Sequence, residues 1–152
     1  MGSRVADHFK ALNDTFGHAA GDAALAAIGT RLTEWVGKRG AVGRLGGDEF
    51  AALTRIRPRR LALRLRHLRQ LLAEPVTFDG EELPVAVSAG AATPDAVGAA
   101  DLPVLLRAAG AAMYEGKHKG VIVQARPHHA HTRSVNGRRE GRPGTAHVNT
   151  AT

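Results

Sequence analysis

Arg44-Leu45-Gly46-Gly47-Asp48-Glu49-Phe50 is the stretch that decides how this chain is read. Short apolar segments flank it, Ala41 to Leu45 before and Phe50 to Ile56 after. Two glycines and two acids between such segments read as a hairpin whose turn carries the carboxylates. Gly46 and Gly47 leave no side chains between the turn's backbone and a molecule lying against it. Asp48 and Glu49 then present hard oxygen donors, the kind that Mg²⁺ prefers. Standing alone, the same residues also suit a solvated acidic turn.

Working outward, Leu25, Ile28, Leu32 and Val36 recur at helical spacing from Asp22 onward, with Asp22 as a candidate N-cap and a break at Gly37 to Gly40. Downstream, Pro58 opens a second helix with Leu61, Leu65, Leu68 and Leu72 on one face, ending near Pro75. Val76 to Phe78 and Leu83 to Ala89 read as a further hairpin joined through Asp79-Gly80, with alternation at Leu83, Val85, Val87 and Ala89. A third helix is expected from Asp101, with Pro103 in its first turn; it buries Leu102, Leu105, Leu106, Ala109 and Met113 and frays at Gly116. Val121 to Val123 suit a last strand. Helices alternating with hairpins predict an α/β (α+β) sandwich, helices packed on a mainly antiparallel sheet.

The chain has 152 residues, 43% of them hydrophobic, which fits one packed domain. With only four Phe, one Tyr and one Trp, the core must come from Leu, Val, Ile and Ala. The absence of cysteine excludes disulfides, thiolate catalysis and zinc–thiolate sites. No apolar run approaches the roughly 20 residues that span a bilayer, and Met1-Gly2-Ser3-Arg4 does not open a signal peptide, so a cytoplasmic location is expected. The formal charge of +7 suits an anionic partner. Much of it lies beyond Gln124, where Arg126, Arg133, Arg138, Arg139 and Arg142 face the single acid Glu140. From Pro127 on there is almost nothing to bury, so 1–125 is read as the domain and 126–152 as a basic, disordered tail. Arg55, Arg57, Arg59, Arg60, Arg64, Arg66 and Arg69 alternate with leucines and read as a solvated helix face. Nucleic-acid binding by the tail rests on charge alone, without interleaved aromatics. His128 and His129 are too tail-bound to argue a metal site.

Other segments fall in order around the hairpin: Asp7-His8-Phe9-Lys10-Ala11-Leu12-Asn13-Asp14, Gly17-His18, Gly21-Asp22, Val87-Ser88-Ala89-Gly90 and Ala111-Ala112-Met113-Tyr114-Glu115-Gly116-Lys117. Together with Arg44 to Phe50 they closely resemble the GGDEF family of diguanylate cyclases, over about residues 5 to 123. The resemblance implies a ferredoxin-like, nucleotidyl-cyclase palm fold and condensation of two GTP into cyclic diguanylate plus pyrophosphate with Mg²⁺, across a homodimer whose protomers each hold one GTP. It makes Asp48 the metal ligand and places Glu49 near the reacting ribose. Asn13 and Asp22 match the guanine readers, an amide and a carboxylate suited to the base edge. The backbone N–H groups of His8 and Phe9 match the phosphate cradle, and Lys10 and Lys117 its basic positions. Without the motif these would read as helix caps and surface lysines. His18 is expected to order the turn after Asn13.

The chain departs from the family pattern in several places. The first Asp of the strand-ending Asp-x-Asp motif, a metal ligand, is Val5 here. The phosphate-contacting Arg is Val121, the acid before Ala-Leu-Tyr is Gly110, and the helix-end Ala is Gly116. The product-inhibition Arg-x-x-Asp falls on Gly37 and Gly40, so feedback at that site is not expected. Most of the first strand and the helix before it are missing, as a truncated or late-assigned start would produce, which predicts an unpaired interior sheet edge. The expectation is a cyclase-type domain with a weakened metal site; the alternative is a non-catalytic module that binds GTP or a protein partner.

Overall fold

The computed structural model describes residues 2–4, 6–117 and 119–133, with only the backbone described over residues 2–4 and 6–8. In chain order it runs β1 (Gly2–Arg4), α1 (Ala6–Phe16), α2 (His18–Val36), β2 (Ala41–Gly46) and β3 (Glu49–Leu53). A 3₁₀ turn (Pro58–Arg60) leads into α3 (Leu61–Ala73), followed by β4 (Val76–Phe78), β5 (Glu81–Leu83) and β6 (Ser88–Ala91). Then come α4 (Pro94–Val97), α5 (Leu102–Glu115), β7 (Ile122–Gln124) and a second 3₁₀ turn (Pro127–His131). The main sheet has the order β2-β3-β1-β6-β7, antiparallel except for the parallel β6–β7 pair, and β4–β5 stand apart as a hairpin.

Helices cover both faces of the sheet. Ala89 and Ala91 point into one cluster with Ile28, Leu32, Phe50, Leu65 and Leu68, contributed by α2, α3 and β3. The residue between them, Gly90, faces α5, as strand alternation requires. A Cβ at Gly90 would lie 1.9 Å from the carbonyl oxygen of Ala109 and 2.7 Å from the Met113 nitrogen. The α5 backbone therefore rests directly on the strand, and its Ala108, Ala109 and Ala112 are wholly buried. On the first face Ile28, Leu32, Leu68 and Leu83 are fully buried, each contributing about 1.5–3 kcal/mol.

Side chains tie the helices together. The Trp35 indole N–H donates to the Arg64 carbonyl at 2.9 Å. In return the Arg64 guanidinium lies 4.9 Å from the Trp35 ring centroid and donates to the Trp35 carbonyl. Arg31 donates to the carbonyls of Glu74 and Pro75, at 2.6 and 2.7 Å, just past the end of α3. Arg64 is thus half-buried structure, whereas Arg59, Arg60, Arg66 and Arg69 form the solvated face read from the sequence.

Several expectations need correction. Asp22 is no N-cap: α2 starts at His18 behind Gly17, whose φ of 89° separates it from α1. Residues 6–16 are helical, burying Phe9 and Leu12. The strand expected over Leu83 to Ala89 is divided. Asp79 and Gly80 have φ of 51° and 79°, a two-residue primed turn that pairs β4 with Glu81–Leu83 only, while Ser88–Ala91 joins the main sheet. Leu102 is 42% exposed, because the α5 face is set by its alanines. The first strand, though only three residues long, lies at the sheet's centre and pairs with β3 and β6 on either side, so the interior edge is closed along Gly2–Arg4. Ordered chain also extends past residue 126, through the Pro127–His131 turn to Arg133; the rest of the expected tail, 134–152, lies outside the described residues, as does Val5.

Gly90→Ala is expected to destabilise the domain by at least about 1–3 kcal/mol, since backbone and not a pliable side chain must move. Urea titration of the two proteins measures the difference.

Candidate functional site

The Gly46–Gly47 turn is built from backbone that only glycine adopts freely: φ is 149° at Gly46 and 51° at Gly47. The β2–β3 register shifts between Arg44 and Gly46, a bulge that bends the hairpin tip. Arg44 closes the tip from within, donating from Nε to the Gly47 carbonyl at 2.7 Å and from its second nitrogen to the same oxygen. Phe50 is buried, one ring edge 3.5 Å from where a Cβ on Gly29 of α2 would stand. The turn is therefore anchored at its base and braced at its tip, with Asp48 and Glu49 half-buried between. The role of Arg44 was not legible in sequence, because its partner is a carbonyl.

The crossing of α1 and α2 sets the Asn13 side chain against Gly21, the residue before Asp22. Asn13 Oδ1 lies 1.7 Å from where a Cβ on Gly21 would be, so only glycine leaves room for the amide there. Asp22 is the next residue and is exposed. Among the described residues Asn13 Oδ1 is buried with no hydrogen-bond partner, an omission that costs about 1–3 kcal/mol. The turn after Asn13 is closed by the backbone bond from Gly17 N–H to the Asn13 carbonyl, 2.8 Å, and not by His18, which is exposed at the start of α2.

His8 falls in the first turn of α1, where backbone N–H groups lack acceptors within the helix. The expected phosphate cradle is thus a helix N-terminus. Phe9 follows it with its side chain in the core, and Lys10 is exposed on the same helix. Lys117, just past α5, is half-buried, its Nζ 5.9 Å from the Tyr114 ring centroid. The two glycines aligned with product inhibition differ: a Cβ on Gly40 would meet Val36 Cβ at 2.4 Å and the Leu53 carbonyl at 2.8 Å, while Gly37 stands in open space with φ of 72°.

A feature missed in the sequence closes the far end of α5. His129 is buried, with its Nε2 2.6 Å from Glu115 Oε2 and its Nδ1 accepting from the Arg126 N–H at 2.8 Å. An acceptor Nδ1 leaves the ring proton on Nε2, which donates to the carboxylate. His128 Nε2 lies 4.0 Å from the same oxygen, and the three side chains form a Glu–His–His group with ligand atoms within 4.8 Å. A His that binds metal through Nε2 donates its other ring N–H; here that nitrogen already accepts. The group is a structural clamp. The hydrogen bond from His129 holds the Glu115 carboxyl below its ordinary value of 4.5, desolvation opposes it, and the charges of His129, His128 and Arg126 add to the lowering.

A family model described as "Diguanylate cyclase, GGDEF domain" matches residues 5–121. An uncharacterized 19.3 kDa protein from Streptomyces ambofaciens is 50% identical over 116 residues, 73% of this chain and 59% of that protein. The bifunctional diguanylate cyclase/cyclic di-GMP phosphodiesterase MucR of Pseudomonas aeruginosa is 33% identical over 115 residues, 75% of this chain and 17% of that protein. The chain thus spans less than two thirds of these relatives' lengths. Among solved structures, the GGDEF domain of YfiN from Pseudomonas aeruginosa superposes with a TM-score of 0.72 at 30% identity, covering 86% of this chain and 78% of that one. No helix among the described residues is long and apolar enough to cross a membrane.

Because the Glu115 carboxyl is held low in the folded state, its contribution to stability is present above pH 4.5 and is lost as the pH falls through the lowered value. The Tm advantage of the unmodified protein over Glu115→Gln is therefore expected to persist at mildly acidic pH and to vanish in stronger acid. Thermal melts of both proteins across that range check it.

Proposed function

From the premise that this chain belongs to the GGDEF family of diguanylate cyclases, we propose that it is a GTP-binding domain of cyclic di-GMP signalling whose cyclase chemistry is limited by one absent carboxylate. The single observation that carries nucleotide binding is the Asn13–Asp22 pair: a buried amide oxygen with no partner beside an exposed carboxylate. An amide and a carboxylate so placed suit the edge of guanine, whose ring N–H and exocyclic amine both donate. In this reading the Asn13 amide turns from Gly21 toward the base and gains the partner it lacks. The Gly46–Gly47 turn lets purine and ribose lie against backbone, His8 and Phe9 N–H groups at the start of α1 receive phosphate oxygens, and Lys10 and Lys117 add positive charge.

The donors at the turn fit Mg²⁺. Asp48 and Glu49 offer only carboxylate oxygens, the donor set this ion selects, whereas the Glu115, His128 and His129 group offers two imidazoles, a softer set, with His129 already committed to the clamp. Asp48 is the proposed ligand and Glu49 lies toward the reacting ribose. Bound there, the ion would neutralise charge on the triphosphate. Two copies facing each other would set the 3′-hydroxyl of one GTP against the α-phosphate of the other, with pyrophosphate leaving. Alignment of that kind is sensitive to small displacements, and Val5 in place of the first Asp of the family's Asp-x-Asp motif removes one of its restraints.

A second reading, a module that binds GTP without turning it over, is favoured by Val5 together with Val121 where the family has a phosphate-contacting Arg. One experiment separates the two. Purified protein and a Val5→Asp variant are incubated with Mg²⁺ and radiolabelled GTP. Cyclic di-GMP formed at least about tenfold faster by the variant supports the proposal; GTP binding with no product from either protein supports the non-catalytic module, and absence of GTP binding sinks both.

Guanine reading has its own test. Asp22→Ala is expected to raise the Kd for GTP by about 10- to 100-fold, as loss of a charge-assisted pair does, while leaving the already weak binding of ATP unchanged. Titration calorimetry with both nucleotides reads this directly.

A further inference from the structure

The sequence from Phe50 to Ala73 holds seven arginines and not one aspartate or glutamate. The fold divides them. Arg64 is committed inward, its guanidinium against the Trp35 ring and donating to the Trp35 carbonyl. The other six, Arg55, Arg57, Arg59, Arg60, Arg66 and Arg69, are exposed, and none of them forms an ion pair among the described residues.

A solvated helix face ordinarily mixes the two signs, since opposite charges three or four residues apart support a helix and like charges weaken it. Here Arg60 precedes Arg64 by four positions and Arg66 precedes Arg69 by three, and no acid stands in the first turn of α3. Arg59 and Arg60 also crowd the N-terminal end of the helix, where its dipole disfavours cations. Negative charge laid against this face would relieve that repulsion.

At the centre of the charge stands an apolar side chain. Leu65, Leu68 and Leu72 are buried, whereas Leu63 is 57% exposed and belongs to neither apolar cluster. Its surface neighbours, three and four residues away along the helix, are Arg59, Arg60, Arg66 and His67, the first two in the 3₁₀ turn that leads into α3.

We propose that the outer face of α3 is a docking surface for an anionic phospholipid bilayer, with the helix lying in the plane of the headgroups. Arg59, Arg60 and Arg66 meet lipid phosphates, their aliphatic stems lying along apolar surface, and Leu63 passes between them to the acyl boundary. Charge complementarity alone would suit nucleic acid equally, and Leu63 decides between the two. A phosphate backbone desolvates a central leucine among charges, whereas a bilayer takes it in. The segment 55–73 also has no Phe, Tyr or Trp on which a base could stack.

The test is co-sedimentation of the full 152-residue chain with vesicles of phosphatidylcholine alone and of phosphatidylcholine mixed with phosphatidylglycerol. Binding is expected to the mixed vesicles only, and to fall with added salt. Arg59→Gln/Arg66→Gln is expected to lower that affinity at least about tenfold, and Leu63→Ala at least about threefold. All three positions are exposed and receive good helix formers, so the variants keep the fold. Because the chain has no cysteine, Leu63→Cys accepts a single environment-sensitive dye, whose emission is expected to shift to the blue on mixed vesicles. Absence of binding to mixed vesicles overturns the proposal. Binding that survives the arginine substitutions overturns it as well, and assigns the attraction to the arginines beyond Gln124. Binding unchanged by Leu63→Ala, or a dye that does not move, overturns it equally; tighter binding of a DNA duplex at the same salt would then make the face a nucleic-acid contact.

Discussion

The contact on which the rest of the structure leans is the one with no side chain in it. At Gly90 the backbone of β6 meets that of α5, the Ala109 carbonyl standing where any Cβ would have to go. This depth of approach is possible because α5 presents a run of alanines, and it explains why a domain with six aromatic residues still holds a tight core. It also fixes the end of α5. Lys117 and Glu115 project from that end, so the placement of one proposed phosphate contact and of the C-terminal clamp both follow from a hydrogen atom at position 90.

Around that contact the molecule is arranged in opposed halves. One end of β3 carries the braced acidic turn, and the other reaches a cavity of about 950 Å³ lined by Trp35, Leu61 and Leu65. β1 pairs between β3 and β6, and α1 follows it to cross α2, where the Asn13 side chain lies against Gly21.

Much of this was legible from side-chain spacing. Leu65, Leu68 and Leu72 declare the buried face of α3, and Ile28, Leu32 and Val36 that of α2, because a helix in contact with a sheet must repeat its apolar residues at that interval. The hairpin was legible from its glycines. What escaped had its signal overridden by its surroundings, or had none. Phe9, Leu12 and Phe16 have helical spacing, yet α1 is short and ends among Asn13, Asp14 and Gly17, which read as turn formers. Leu83, Val85, Val87 and Ala89 alternate without a break, so composition does not reveal where the hairpin ends and the main sheet begins. His129 lies in a stretch without apolar residues to bury, and its burial depends on a carboxylate fourteen positions earlier, a coincidence of three dimensions only.

Gly116 illustrates how such a scaffold drifts. A Cβ there would fall 2.3 Å from Val123 Cγ2, and valine, branched at Cβ, has little freedom to turn aside. The glycine at the end of α5 and the valine on β7 are therefore matched in size. Either changed alone is penalised, by collision in one direction and by a void in the other. The pair is a lock in which neither position accepts a change of size alone, so the valine across from it holds the end of α5 to its less helical glycine beside the proposed phosphate contact.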